Sequence, residues 1–81
     1  MITVYALLSE FDGTLYIGMC KDLDRRLSEH NSGRNRSTKH KRPFRVILTE
    51  THPDFIVGRI REKWLKSGEG RRYIKQHAGI V

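Results

Sequence analysis

Eighty-one residues, 37% of them hydrophobic and 31% charged, suffice for one small domain over residues 1–81, because a chain this short buries only about 60% of its extended surface and has no material for a second core. A single cysteine, Cys20, excludes an internal disulfide framework, and the lack of zinc-ligand spacing, of a signal peptide and of an 18-residue apolar run sets the expectation of a soluble cytoplasmic protein with no membrane partner. Sixteen Lys+Arg against nine Asp+Glu leave a formal charge of +7, which favours a polyanionic partner.

In chain order, "MITVYALL" and "TLYIGMC" read as two strands, and the Asp12-Gly13 pair between them predicts a hairpin with a two-residue turn. That register sets Ser9 opposite Tyr16 and Leu7 opposite Gly18. Alternation then places Ile2, Val4, Ala6, Leu8, Leu15, Ile17 and Met19 on one apolar face, the expected core. Thr3, Tyr5, Leu7, Ser9, Thr14, Tyr16, Gly18 and Cys20 fall on the other. Tyr5 and Tyr16 share that second face, but this turn sets them four residues apart in register, roughly 13 Å at about 3.3 Å per residue. "KDLDRRLSEHNSG" predicts a helix with Asp22 as N-cap, Leu23 and Leu27 on the buried side and a stop at Asn31 to Gly33. Arg26 and His30, four apart, project from one face of it.

The next segment, "SGRNRSTKHKRP", holds Arg34, Arg36, Lys39, Lys41 and Arg42 and no acid. Such a loop cannot bury itself, and its charge density suits a DNA phosphate backbone better than it suits mere solubility. "FRVILTE" follows as a third strand entered through Pro43. "HPDFIVGRIREKWLKSG" reads as a second helix with Pro53 near its first turn, an apolar stripe of Val57, Ile60 and Trp64, and Gly68 as a stop. Glycine inside a helix costs about 1 kcal/mol relative to alanine, so Gly58, one turn before Glu62, implies close backbone approach. A short third helix is expected around "EGRRYIKQ". The order is β-β-α-β-α(-α), an α+β class.

Tyr5, Tyr16, Arg26, His30 and Glu62 are the side chains a phosphodiester-cleaving site could use. Arginine offers a planar fork of donors to phosphate oxygens. A tyrosine or histidine can orient or deprotonate water, and a carboxylate can hold a hard divalent cation. Each has an ordinary reading as well. The tyrosines could be packing residues, and Arg25 rather than Arg26 could pair with Glu29. His30 could complement the helix dipole, Glu62 could pair with Lys66, and Cys20 reads as a small buried filler.

Together these residues resemble the GIY-YIG nuclease family over nearly the whole chain. "TVY" at 3–5 stands at the first motif and "YIG" at 16–18 matches the second literally, while "DLDRRLSEHNSG" and "GRIREKWLK" are similar to the two helices that follow. The nearest subgroup is the small stand-alone proteins related to the nuclease domain of the bacterial excision-repair incision subunit. The resemblance implies a three-stranded antiparallel sheet flanked by helices and a metal-dependent endonuclease acting on DNA, in repair or in processing of branched DNA. It places Arg26 at the catalytic arginine, His30 at the family histidine and Glu62 at the ligand of Mg²⁺ or Mn²⁺. Tyr5 is then the base that takes a proton from water, with its pKa brought down by Arg26 and the metal. Tyr16 and His30 assist, and Gly18 keeps space between the tyrosines. The chain departs from the family in Thr3-Val4-Tyr5, in Cys20 where a hydroxyl residue is frequent, and in lacking a clear counterpart of a late asparagine, near Gln76 and His77. The rival reading is a non-catalytic nucleic-acid-binding module with a decayed site. No recognition motif selects a DNA structure, which leaves room for a partner protein that supplies specificity.

Overall fold

The computed structural model describes residues 1–34 and 39–80. Its elements are β1 (Ile2–Ser9), β2 (Leu15–Cys20), α1 (Leu23–Ser32), a single 3-10 turn (Lys39–Lys41), β3 (Phe44–His52), α2 (Phe55–Leu65) and α3 (Gly68–His77). The strands form one antiparallel sheet in the order β2-β1-β3. This is the expected α+β order, and the third helix is a full ten residues long.

The hairpin turn is longer than Asp12-Gly13. Ser9 N–H donates to the Thr14 carbonyl at 2.9 Å, so the loop runs from Glu10 to Gly13. Side chains set its length: the Ser9 hydroxyl accepts from the backbone N–H groups of Phe11 and Asp12, both at 3.2 Å, and donates to the Lys41 carbonyl. The Asp12 carboxylate accepts from the Thr14 N–H at 3.0 Å and its hydroxyl at 2.7 Å, and Gly13 takes the left-handed conformation, φ 77°, that such a turn requires. Tyr5 therefore stands opposite Gly18 and Leu7 opposite Tyr16. Because the register moved by an even number of residues, every side chain keeps its expected face.

Both faces of the sheet are buried. On one, Val4, Ala6, Ile17 and Leu48 pack with Leu65 of α2 and Ile74 of α3. The other, expected to be lined by polar groups, is a second core in which Tyr5, Leu7, Cys20 and Phe44 pack with Tyr16, Leu23, Leu27 and Val46. The helix α1 covers it. Asp22 caps its start by accepting from the Arg25 N–H at 3.1 Å, and Gly33 ends it at φ 82°. The Asn31 side chain then ties the helix to β3, accepting from the Phe44 N–H at 2.7 Å and donating to its carbonyl at 3.2 Å.

The helix α2 faces the other way from expectation. Val57, Ile60 and Trp64 are exposed, Ile60 to 67%, and the buried positions are Gly58, Glu62 and Leu65. Close approach decides this orientation: a Cβ at Gly58 would come within 3.2 Å of Ile2 and 3.3 Å of the Met19 sulfur, so the helix backbone itself lies against β1 and β2. At Gly70 a Cβ would strike the backbone of Trp64 and Leu65, which fixes α3 tightly across the end of α2. Gly68 opens α3, with Ser67 as its cap, rather than ending α2. On the outer side the Arg61 guanidinium makes two bonds to Glu50, at 2.8 and 2.9 Å, and lies over the Trp64 ring at 4.7 Å.

This orientation separates two apolar substitutions on one helix. Leu65→Ala should cost about 2–5 kcal/mol, since its side chain is wholly buried, whereas Ile60→Ser should stay within about 0.5 kcal/mol of the parent. Urea unfolding of the two variants measures both; equal losses would put Ile60 in the core.

Candidate active site

Tyr5 sits at the centre of β1, and its ring lies across Gly18. A Cβ at Gly18 would be 2.7 Å from the Tyr5 hydroxyl oxygen and 2.9 Å from its Cζ. Tyr16 is two residues along β2 from Gly18, which replaces the expected four-residue offset between the tyrosines with two and brings them within diagonal reach. The last turn of α1 lays His30 onto both. Its ring centroid is 4.6 Å from that of Tyr16, 6.4 Å from Tyr5 and 5.9 Å from Phe44, and its Nε2 lies 3.5 Å from the Tyr5 hydroxyl. Which of the two donates depends on the imidazole tautomer. Tyr5 is 1% exposed and His30 fully buried.

Burial governs the protonation of this pair. It pushes the Tyr5 phenol well above its ordinary range, the neighbouring Tyr16 adds to that, and the Arg26 guanidinium only partly opposes them. Arg26 lowers the phenol as expected, but its pull is smaller than the desolvation of the phenolate. Burial also lowers His30, and Arg26 lowers it further against a smaller effect of Glu29. Both partners are therefore neutral at neutral pH.

Arg26 lies one turn before His30 and is half exposed, with Glu29 at 3.4 Å; Arg25, more exposed, shares the same carboxylate at 3.5 Å. The expected choice between the two arginines does not arise, since both pair. Arg26 lines a cleft of about 300 Å³ with Cys20, Lys21, Asp22, Arg25 and Glu29. Cys20 is the buried filler expected of it, and burial raises its thiol pKa. Glu62 is only 6% exposed, although sequence patterning placed it off the buried side of α2. Its carboxylate is 3.4 Å from both Arg59 and Lys66, and its charge is among those that raise Tyr5. Tyr5, Tyr16 and His30 are thus in contact, with Gly18 beneath them, while Arg26 and Glu62 reach them through their fields. Among the described residues no group of three or more His, Cys, Asp or Glu is arranged to hold a metal ion.

Of the basic segment, Arg34 and Lys39 are exposed, Lys41 pairs with Asp12 at 3.5 Å, and the Arg42 guanidinium packs against Gly33. Arg36 lies outside the described residues. Gln76 and His77 are exposed at the end of α3, where the His77 ring lies against Tyr73 rather than against the tyrosine cluster. Sequence patterning missed Ser9 and Asn31, whose side chains set the turn and dock α1, and nothing in their local sequence distinguishes them from surface polar residues.

These features define a known class of domain. The GIY-YIG catalytic domain matches residues 1–77, and the chain belongs to that nuclease family. Over 65 residues, 79% of each chain, it is 40% identical to a UPF0213 protein of Staphylococcus epidermidis and to another of Staphylococcus saprophyticus. A UPF0213 protein of Desulfotalea psychrophila is 39% identical over 57 residues, 68% of this chain and 52% of that one. The solution NMR structure of a UPF0213 protein from Bacillus halodurans resembles it with a TM-score of 0.57 at 30% identity, covering 94% of this chain and 84% of that one. Among the described residues no helix is long and apolar enough to cross a membrane.

Two outcomes follow from the buried cluster. Gly18→Val should displace the Tyr5 ring and cost about 1–3 kcal/mol by overpacking, read as a lower melting temperature together with loss of the Tyr5–His30 contact by NMR. His30, lowered from 6.5 in the folded state, should make stability complete above about pH 6.5 and progressively lost as pH falls below it, because only the unfolded chain readily takes up that proton. His30→Gln should flatten this part of the pH profile in urea titrations; an unchanged profile would show that His30 is not its source.

Proposed function

We propose that this protein is a metal-dependent endonuclease that hydrolyses phosphodiester bonds in DNA, in repair or in processing of branched DNA, as a cytoplasmic protein. The observation that carries the reading is the meeting of Tyr5, Tyr16 and His30 over Gly18, with the half-exposed Arg26 at the rim of a cleft. In the mechanism, Arg26 receives the phosphoryl oxygens and the negative charge that builds on them. Tyr5 accepts a proton from the attacking water as its own hydroxyl proton passes to the neutral imidazole of His30, 3.5 Å away. That relay yields hydroxide and imidazolium and avoids a free phenolate, which burial makes costly; burial and Arg26 oppose the imidazolium as well, so it is held only while the hydroxide attacks. Tyr16 packs on the imidazole and fixes its orientation.

Glu62 offers one hard carboxylate donor for Mg²⁺ or Mn²⁺, and Mg²⁺ commonly takes one or two carboxylates and completes its shell with water and phosphate oxygens; Arg59 and Lys66, each 3.4 Å from that carboxylate, would have to swing aside for the ion to enter. When bound, such an ion would supply Lewis-acid polarisation of the phosphate and the leaving oxygen. The rival reading, a binding module with a decayed site, draws support from the raised Tyr5 phenol and from Thr3-Val4-Tyr5 in the first motif.

Duplex, single-stranded, flap and branched DNA, each incubated with Mg²⁺ or Mn²⁺ and with chelator, separate the two: cleavage that requires the ion supports the nuclease, and salt-sensitive binding without cleavage supports the module. Arg26→Ala, Glu62→Gln and Tyr5→Phe should each remove most turnover while retaining the fold, Tyr5→Phe costing more than Tyr16→Phe, and only Glu62→Gln should abolish metal binding in titration calorimetry. Neutralising Arg34, Arg36, Lys39, Lys41 and Arg42 should flatten the dependence of log K on log salt by about 0.9 per lost phosphate contact and leave the chemical step alone.

A further inference from the structure

A second basic groove, about 430 Å³ in volume, lies at the hairpin end of the molecule and is lined by Gly13, Thr14, Leu15, Lys41, Arg71 and Lys75. Its cations converge from separate parts of the chain. Arg71 and Lys75 stand one turn apart on α3, a helix that also carries Arg72 against Glu69 as its sole acid, and Lys41 ends the 3-10 turn. The Arg71 side chain is anchored by its Nε–H to the Lys66 carbonyl at 3.3 Å, which holds the guanidinium in place. Asp12 pairs with Lys41 but is not part of the lining, and it already accepts two bonds from Thr14. Arg71 and Lys75 have no acid in the groove lining to balance them, Lys41 shares its charge with Asp12, and an anion between the three relieves the remaining repulsion.

The position of the groove says which anion fits. β2 is an edge strand; its last residue, Cys20, lines the cleft that holds Arg26, and its first, Leu15, lines this groove. The two basic clefts thus mark the two ends of one edge strand, whose backbone spans roughly 17 Å at about 3.3 Å per residue, the Leu15 end opening on the α3 side of the sheet and the Cys20 end on the α1 side. Successive phosphates of one strand of duplex DNA advance about 3.4 Å along the axis and turn about 35° around it, so phosphates about three nucleotides apart are separated by roughly 17 Å in space, comparable to the span of the strand.

We propose that the Lys41, Arg71 and Lys75 groove binds a backbone phosphate of the nucleic acid whose scissile phosphate lies at Arg26, so that one strand runs along β2 between the two clefts. The proposal rests on the nuclease reading for its Arg26 end. The groove itself is a binding site and takes no part in the chemistry.

The test is anisotropy of a fluorescein-labelled 20-base-pair duplex, titrated in chelator from low to high salt. Arg71→Ser with Lys75→Ser should remove about 1.8 from the log K against log salt slope, two contacts at about 0.9 each. Lys63→Ser with Arg72→Ser removes the same charge from residues outside the groove and should leave the slope near that of the parent. A slope unchanged in the first variant, or reduced equally in both, overturns the groove while leaving the nuclease reading standing. Failure of the parent to bind the duplex at any salt overturns both. Inorganic phosphate is the second arm: if phosphate alone shifts the amide resonances of Gly13, Thr14 and Arg71 and the duplex does not, the groove serves a free anion and the proposal fails.

Discussion

A tyrosine ring can lie across a neighbouring strand only where that strand carries no side chain, and Tyr5 meets this condition at Gly18. The rest of the site depends on that contact. Lying over Gly18, the ring carries its hydroxyl outward from β1 toward the edge strand β2 and beneath α1, where His30 reaches it. Tyr16, two residues further along β2, closes the other side of the imidazole. The helix that delivers His30 is set in place by bonds remote from the chemistry, the Asp22 cap at its start and the Asn31 bridge to Phe44 at its end. A single methyl group at position 18 would press directly on the Tyr5 hydroxyl and ring.

The cluster sorts its groups by charge. Tyr5 and His30 are buried and held neutral, because moving either ion out of water costs more than a nearby opposite charge returns. Arg26 cannot be neutralised and remains at the rim, half in solvent. Glu62 is buried but keeps two cations beside its carboxylate. In the proposed reaction this division would let protons move inward through a neutral pair while a phosphate, already charged, stays at the wet edge. The same division explains why the second face of the sheet, which carries polar and aromatic residues, nevertheless packs as a core: its polar groups meet one another.

The helix α2 shows how a small residue can outrank a row of large ones. Burying Val57, Ile60 and Trp64 would hold the helix axis away from the sheet by the length of those side chains. Turning Gly58 inward lets the backbone rest on Ile2 and Met19 and brings Leu65 fully into the core. The apolar stripe is left outside, partly covered by the Arg61 guanidinium that Glu50 holds over Trp64, and forms an apolar strip of a kind that soluble proteins keep small.

Local rules determined much of this protein from the sequence alone. The order of elements, the caps at Asp22 and Gly33, the shared face of Tyr5 and Tyr16 and the single helical face of Arg26 and His30 follow from period and side-chain chemistry within a few residues. That pairing of faces survived a misjudged turn because an even change of register preserves alternation. Three things were decided only in the tertiary structure: the length of the hairpin loop, the side of α2 that is buried, and the protonation of Tyr5. The loop length combines local bonds from Ser9 and Asp12 with the meeting of Ser9 and the Lys41 carbonyl, a contact between residues 32 apart in sequence. The buried side of α2 depends on how closely its backbone fits the sheet at Gly58, and the state of Tyr5 depends on how much water α1 excludes. Each is a property of surfaces brought together from distant parts of the chain, and neither periodicity nor local spacing contains it.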